Sequence, residues 1–132
     1  MSNTPDHALV VAAKTAMENA YAPYSKYQVG AAIRAENGQI YAGCNVENAA
    51  YPEGTCAEAG AIAAMIAAGA KQIKDIVIIA VGDVEAAPCG GCRQKINEFA
   101  EPDLTIFVVS TAGDTTRYSL GEILPHSFKL EA

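Results

Sequence analysis

The chain has 132 residues, a length that suits one domain and leaves little room for two. It is 51% hydrophobic, enough for a core, and its formal net charge of −6 comes with scattered basic residues. That pattern excludes a binder of nucleic-acid backbones, which needs a basic stripe to displace counterions. The first stretch, "MSNTPDHALVVAAKTAMENA", interrupts its apolar positions with Asp6, Lys14 and Glu18 and does not read as a signal peptide. No apolar run reaches the length of a membrane span. The expectation is a cytoplasmic chain whose four cysteines stay reduced and serve a metal or catalysis before disulfides.

A first helix is predicted from Thr4-Pro5, with Thr4 as N-cap, Pro5 at the first helical position and Asp6 in the first turn. Leu9, Val10, Ala13, Met17 and Ala20 then recur at helical spacing, and Pro23 in "YAPYSKY" ends the helix. "QVGAAIRAENGQIYAGCNV" reads as two strands joined at Asn37-Gly38, a strong hairpin signal. "NAAYPEGT" is a loop, and the Ala-rich "CAEAGAIAAMIAAGA" predicts a second helix ending near Gly69. "IKDIVIIAVG" has the continuous Ile/Val pattern of a strand covered on both faces. "AAPCGGCRQKINEFA" is a loop leading into a third helix, "LTIFVVST" a further buried strand, and "SLGEILP" an amphipathic turn or two before a short tail. The order α-β-β-α-β-α-β, with a parallel crossover in its last unit, implies a mixed sheet with helices on both faces.

"PCGGCRQ" places Cys89 and Cys92 three positions apart, which on its own fits a disulfide, a redox pair, half of a structural metal site or part of a catalytic one. The discriminating stretch is "TCAEA". Cys56 falls at the start of the second predicted helix, and Cys89 and Cys92 at the start of the third. Helix N-termini favour thiolates through the dipole and their free backbone N–H groups. Three thiolates suit zinc and leave its fourth tetrahedral position for water, the mark of a catalytic site. Glu58, two residues after Cys56, could pass protons to and from a water whose pKa zinc lowers toward ~7.

Competing readings are simpler. A thioredoxin-like Cys89/Cys92 pair leaves Cys56 and Glu58 unexplained. A structural four-cysteine zinc site that adds Cys44 makes the chain a binding module, but Cys44 lies in a strand-like stretch where a buried cysteine is ordinary. Glu58 alone would be a carboxylate favoured by a helix N-terminus. Asn45 and Glu47 alone would be solvated strand-end residues, and Tyr24, Tyr27 and Tyr41 ordinary core or surface aromatics. Phe128 alone would be a tail residue capping a core, and His7 and His126 are not assigned as ligands.

Cys-x-Glu followed by Pro-Cys-x-x-Cys matches the signature of the zinc deaminases, in which the cysteines are the ligands and the Glu is the proton carrier. With "AYAPYSKYQVGAA", "GCNVENAAYPEGTCAE", "PCGGCRQ" and "EILPHSF", the chain resembles the small, homotetrameric cytidine deaminases along nearly its whole length. The resemblance implies one cytidine deaminase-like domain over residues 1–132, a three-layer α/β/α sandwich with a mixed central sheet of about five strands. It implies a Zn²⁺ held by Cys56, Cys89 and Cys92, and hydrolytic deamination of cytidine and 2′-deoxycytidine in pyrimidine salvage. A zinc-bound hydroxide would attack C4 while Glu58 shuttles protons. Asn45 and Glu47 would bond the ribose hydroxyls, the backbone near Ala57 and Pro88–Cys89 would meet the base, and Tyr27 would pack on the pyrimidine. Tyr51 and Phe128 would belong to a region shared between subunits of a homotetramer. A blasticidin S-type aminonucleoside deaminase is the alternative within the superfamily, and "NVENAAY" favours an ordinary ribose over it. In one respect the chain departs from the family: Ala59 stands where the common pattern has an Arg that offsets the thiolate charge, which leaves Arg93 as the nearest candidate in sequence.

Overall fold

The computed structural model describes residues 4–82 and 87–131. Its elements are α1 (His7–Glu18), β1 (Val29–Ala35), β2 (Ile40–Cys44), α2 (Ala57–Ala67), β3 (Ile73–Ala80), α3 (Gly90–Glu98), β4 (Thr105–Ser110), β5 (Thr115–Ser119) and α4 (Leu120–Ile123), with a 3₁₀ turn at Tyr51–Glu53. The strands form one mixed sheet in the order β2-β1-β3-β4-β5. β1 runs antiparallel to both β2 and β3, β3 and β4 are parallel, and β4 and β5 are antiparallel.

Alternation along the central strands sorts the core into two layers. Ile33, Ile76, Ile78, Ile106 and Val108 face α2, α3 and α4, together with Met65, Ile96 and Leu120. Ala32, Val77, Ile79, Phe107 and Val109 face α1 through Leu9, Ala13 and Met17. β3 is therefore covered on both faces, as its unbroken apolar run implies. Each of these large side chains contributes about 1.5–3 kcal/mol by leaving water.

Two glycines let the layers close. A Cβ on Gly30 would sit 2.0 Å from the Ala13 carbonyl oxygen of α1, and one on Gly43 would sit 2.3 Å from the Ala61 nitrogen of α2. α1 and α2 thus press directly on the backbone of the β1/β2 hairpin. That contact matters for function, because α2 carries two of the expected site residues at its first turn.

Two expectations need adjustment. The N-cap of α1 is Asp6, not Thr4: its carboxylate accepts from the Ala8 amide at 3.0 Å and also pairs with Arg34 of β1. The chain also has a strand, β5, that its alternation did not announce. "TTRYS" has little apolar content and serves as an exposed edge, entered through a turn with Gly113 at φ +100° and the Asp114 amide donating to Ser110 Oγ. The start of the expected loop before Cys89, at Ala86, lies outside the described residues. The other terminators behave as read. Gly38 takes φ +82° in the β1/β2 hairpin. Gly69, at φ +95°, closes α2 with Gly69 N–H donating to Ile66 and Ala70 N–H to Met65, the paired bonds of a Schellman ending.

Candidate active site

Cys56 is the N-cap of α2 and Cys89 the N-cap of α3, both with extended backbone (ψ 158° and 166°). Their carbonyls accept the first helical bonds, from Gly60 and Arg93, so each cysteine turns its chain into a helix. The Cys56 side chain makes no capping bond, which leaves its sulfur to face the other two. Cys92, one turn into α3, is fully buried. The three sulfurs lie within 4.8 Å of one another. One face of a tetrahedral zinc–thiolate site, with bonds of about 2.3 Å, has edges of roughly 3.8 Å. The donor set and its spacing therefore fit zinc with only a small contraction. Cys44, at the end of β2, does not join the cluster.

The electrostatics of the ligands follow from their positions. The backbone N–H of Cys92 favours the Cys89 thiolate and holds that thiol below its ordinary pKa. Burial pushes the Cys56 and Cys92 thiols up. A bound dication reverses that penalty, since a coordinating thiol is deprotonated outright.

Glu58 occupies the first turn of α2 and is only 4% exposed. Burial raises its pKa, against its own backbone N–H, the Cys92 thiol and, least, the field of Lys95. Its carboxyl opens into a cavity of about 330 Å³ shared with Cys56, Cys89 and Cys92. Tyr27, Asn45, Glu47, Tyr51 and Ala57 line the same cavity, and Val29, Val46 and Ile78 give it an apolar wall. All the expected site residues except Phe128 are thus gathered in one place.

The structure also shows how the expected sugar-reading pair is held. Asn45 accepts from the Val29 amide at 2.8 Å and donates to the Tyr27 carbonyl at 2.8 Å, joining the end of β2 to the start of β1. Glu47 accepts from the Tyr24 amide at 3.0 Å, the Ser25 amide at 3.2 Å and the Ser25 hydroxyl. Those three donors, Ser25 Oγ–H first, keep the Glu47 carboxyl below its usual range. Tyr51 packs edge-on against Tyr24, with ring centroids 6.3 Å apart. The roles of Tyr24 and Ser25 were not read from the sequence; "YSKY" carries only loop residues, and nothing local links it to a carboxylate more than twenty positions on.

Phe128 lies apart from the cavity with its ring 66% exposed. Its carbonyl is gripped from α3 by Gln94 at 3.0 Å and Asn97 at 3.3 Å, and Lys129 reaches the Ala100 carbonyl at 3.1 Å. Arg93 donates through Nε to the Pro88 carbonyl at 2.8 Å and through a terminal nitrogen to the Ile123 carbonyl at 3.1 Å. Its observed bonds tie the start of α3 to the end of α4 and go to main-chain oxygens rather than to sulfur.

Three converging cysteines and a buried carboxyl, set at the N-termini of two helices beside a mixed sheet, define a zinc-binding hydrolytic site. A family model of the cytidine and deoxycytidylate deaminase zinc-binding region matches residues 3–108, and the chain belongs to that family. It is 39% identical over 123 residues to the cytidine deaminase of Sporosarcina psychrophila, with 93% of this chain and 90% of that one covered. The crystal structure of the cytidine deaminase of Burkholderia pseudomallei matches with a TM-score of 0.88 at 41% identity, over 95% of this chain and all of that one. The enzyme of Mycobacterium tuberculosis gives a TM-score of 0.80 at 32% identity, over 93% and 96% of the two chains.

Proposed function

We propose that this chain is a cytidine deaminase that converts cytidine and 2′-deoxycytidine to the uridine nucleosides with release of ammonia. The observation that carries this reading is the single cavity that joins three zinc-competent sulfurs, the buried Glu58 carboxyl and the Asn45/Glu47 pair. Cys56, Cys89 and Cys92 would hold one zinc per chain. When bound, zinc supplies the Lewis acidity that makes water a nucleophile at neutral pH. Glu58 would carry one proton of the attacking water to ring N3 as the C4–O bond forms, and then the remaining hydroxyl proton to the amine as the C4–N bond breaks and ammonia leaves. A carboxyl whose pKa burial has raised is suited to holding a proton between those steps.

The pocket wall supports a free nucleoside as substrate. After its local bonds, Asn45 keeps one N–H and one lone pair, and Glu47 keeps acceptor capacity on Oε2. Together they can accept from and donate to one sugar hydroxyl. Among the described residues the lining carries two carboxylates, Glu47 and Glu58, and no Lys, Arg or His. A phosphate monoester would enter against that charge with nothing to pair it. Tyr27 offers its ring to the pyrimidine and Ala57 its backbone to the base edge.

The same reading extends to a homotetramer with shared active sites. Tyr51 is 77% exposed beside the cavity, and Phe128 and Leu130 stand out from the anchored tail. Such aromatic exposure around a catalytic mouth suits burial against further copies. The four cysteines are unpaired, in keeping with a reducing cytoplasm. The test is a panel of cytidine, 2′-deoxycytidine, cytosine, dCMP and blasticidin S, followed by ammonia release and loss of the cytosine absorbance. Turnover of both nucleosides with little on dCMP is expected. Turnover of dCMP alone, or of blasticidin S alone, overturns the reading.

A further inference from the structure

Glu47 stands in a wall between two cavities. One is the site cavity of about 330 Å³, and the other, of about 400 Å³, lies beside it against Tyr24, Ser25 and Asn48. Glu47 lines both, whereas Ser25 lines only the second, which contains none of the cysteines. The Ser25 hydroxyl therefore holds the carboxylate from outside the site cavity.

An ionised carboxylate offers about four acceptor positions. Oε1 takes the Tyr24 amide at 3.0 Å and the Ser25 amide at 3.2 Å, which fills it. Oε2 takes the Ser25 hydroxyl. One acceptor position is left, on Oε2, and the Ser25 hydroxyl determines where it points. That hydroxyl is itself fixed: the Tyr27 amide donates to Ser25 Oγ at 3.0 Å, which leaves the hydroxyl hydrogen for Glu47. The loop that makes these bonds has a specific backbone shape. The Lys26 amide donates to the Ala22 carbonyl at 3.0 Å, and Lys26 takes φ 62°, a left-handed conformation uncommon outside glycine. Such a conformation persists where surrounding contacts over-determine it. Here it sits between Ser25 and Tyr27, at the turn that brings the Tyr27 amide to Ser25 Oγ.

We propose that Ser25 is a positioning residue for sugar recognition: its hydroxyl holds Glu47 Oε2 with one acceptor position free, which makes the site selective for a nucleoside that carries the matching sugar hydroxyl. Ser25 does not line the site cavity and acts through Glu47. The inference deepens the proposed function and rests on Glu47 being its sugar-binding carboxylate. Ser25→Ala removes the hydroxyl but keeps both amide bonds to Oε1, so the loop and the carboxylate stay attached while Oε2 is released. The Tyr27 amide that loses its acceptor belongs to an exposed residue, where water can replace Oγ.

The test compares the zinc-loaded parent with Ser25→Ala and with Ser25→Thr, which restores the hydroxyl at an exposed position with room for a methyl group. Each is assayed on cytidine and, at raised enzyme concentration, on 2′,3′-dideoxycytidine, which lacks both ribose hydroxyls. Zinc content and Tm are recorded alongside and should match in all three chains. Ser25→Ala should lose about tenfold in kcat/KM for cytidine, the scale of one hydrogen bond to a charged group. The loss should fall on KM with kcat within about twofold, the mark of a binding contact made equally in ground and transition states. On 2′,3′-dideoxycytidine the same variant should stay within about twofold of the parent, because no hydroxyl is there to be read. Ser25→Thr should recover most of the cytidine loss. Parent-like KM in Ser25→Ala overturns the proposal. An equal loss on both nucleosides does so too, since it marks a general loosening of the loop, as does a Ser25→Thr variant no better than Ser25→Ala. A parent that leaves cytidine unchanged refutes the proposed function and this inference with it; an active parent that Ser25→Ala matches refutes the inference alone.

Discussion

At the scale of single residues, the site separates metal binding from proton transfer. Glu58 is not among the three sulfur ligands, yet it opens into their cavity and is almost wholly buried. Glu58→Gln keeps the shape and removes the titrating oxygen. The variant should hold one zinc per chain by metal analysis while kcat falls about 10²–10⁴-fold, the usual contribution of a general acid–base group; normal turnover would remove Glu58 from the mechanism. The cysteines divide in the same way. Cys44 ends β2 outside the cluster, so Cys44→Ser should retain zinc. Cys92→Ser, at a fully buried ligand position, should release it. Zinc lost from Cys44→Ser would instead favour a structural four-cysteine site. The bonding around Asn45 and Glu47 adds a further point. Both side chains brace the loop that carries Tyr27 before any ligand arrives. Removing either would therefore disturb the aromatic wall as well as the sugar contacts.

At the scale of elements, the ligands are placed by how closely α2 lies on the sheet. A Cβ on Gly43 would meet α2 backbone at 2.3 Å from Ala61 N and 2.6 Å from Gly60 C, atoms that cannot swing aside. Gly43→Ala should push α2 outward and carry Cys56 and Glu58 with it. The expected cost is about 2–3 kcal/mol, in the range of overpacked cores, read as a drop of several degrees in Tm together with weaker zinc binding. Gly90→Ala is the control: nothing lies within 4 Å of its Cβ and its φ is not positive, so Tm should hold or rise slightly. Gly43 illustrates what the sequence conceals. Helix and strand identities were legible because α1, β1, β3 and β4 carry strong periodicity or unbroken apolar runs, and Asn37-Gly38 and Gly69 mark their turns. The cysteine pattern was legible because its spacing places both helix N-termini at one metal. β5 was obscured by its polar edge composition. The grip of Ser25 on Glu47 and the commitment of Arg93 to main-chain carbonyls are both products of tertiary placement. No local pattern encodes them.

At the scale of the whole molecule, the tail is anchored without being buried. Gln94 and Asn97 fix the Phe128 carbonyl to α3, Lys129 fixes the next residue to Ala100, and Phe128 itself stays largely exposed. Asn97 is itself 2% exposed, so a core amide is devoted to holding an exposed phenylalanine in place. Ordering a tail in this way costs backbone entropy of about 1–2 kcal/mol per residue, which the bonds to α3 help to offset. A rigid, exposed aromatic is the kind of anchor that dominates protein–protein interfaces. If the proposed homotetramer forms and that ring enters a neighbouring subunit near its cavity, Phe128→Ala should loosen the assembly and impair catalysis together, although Phe128 does not line the cavity of its own chain. Sedimentation should show a shift from tetramer toward smaller species, with KM for cytidine raised and zinc content unchanged at one per chain. Because the ring is solvent-exposed in the single chain, the thermal stability of the dissociated subunit should be nearly unaffected. A variant that remains tetrameric with unchanged KM would show that the ring serves no neighbouring site, and that each chain completes its pocket from its own residues.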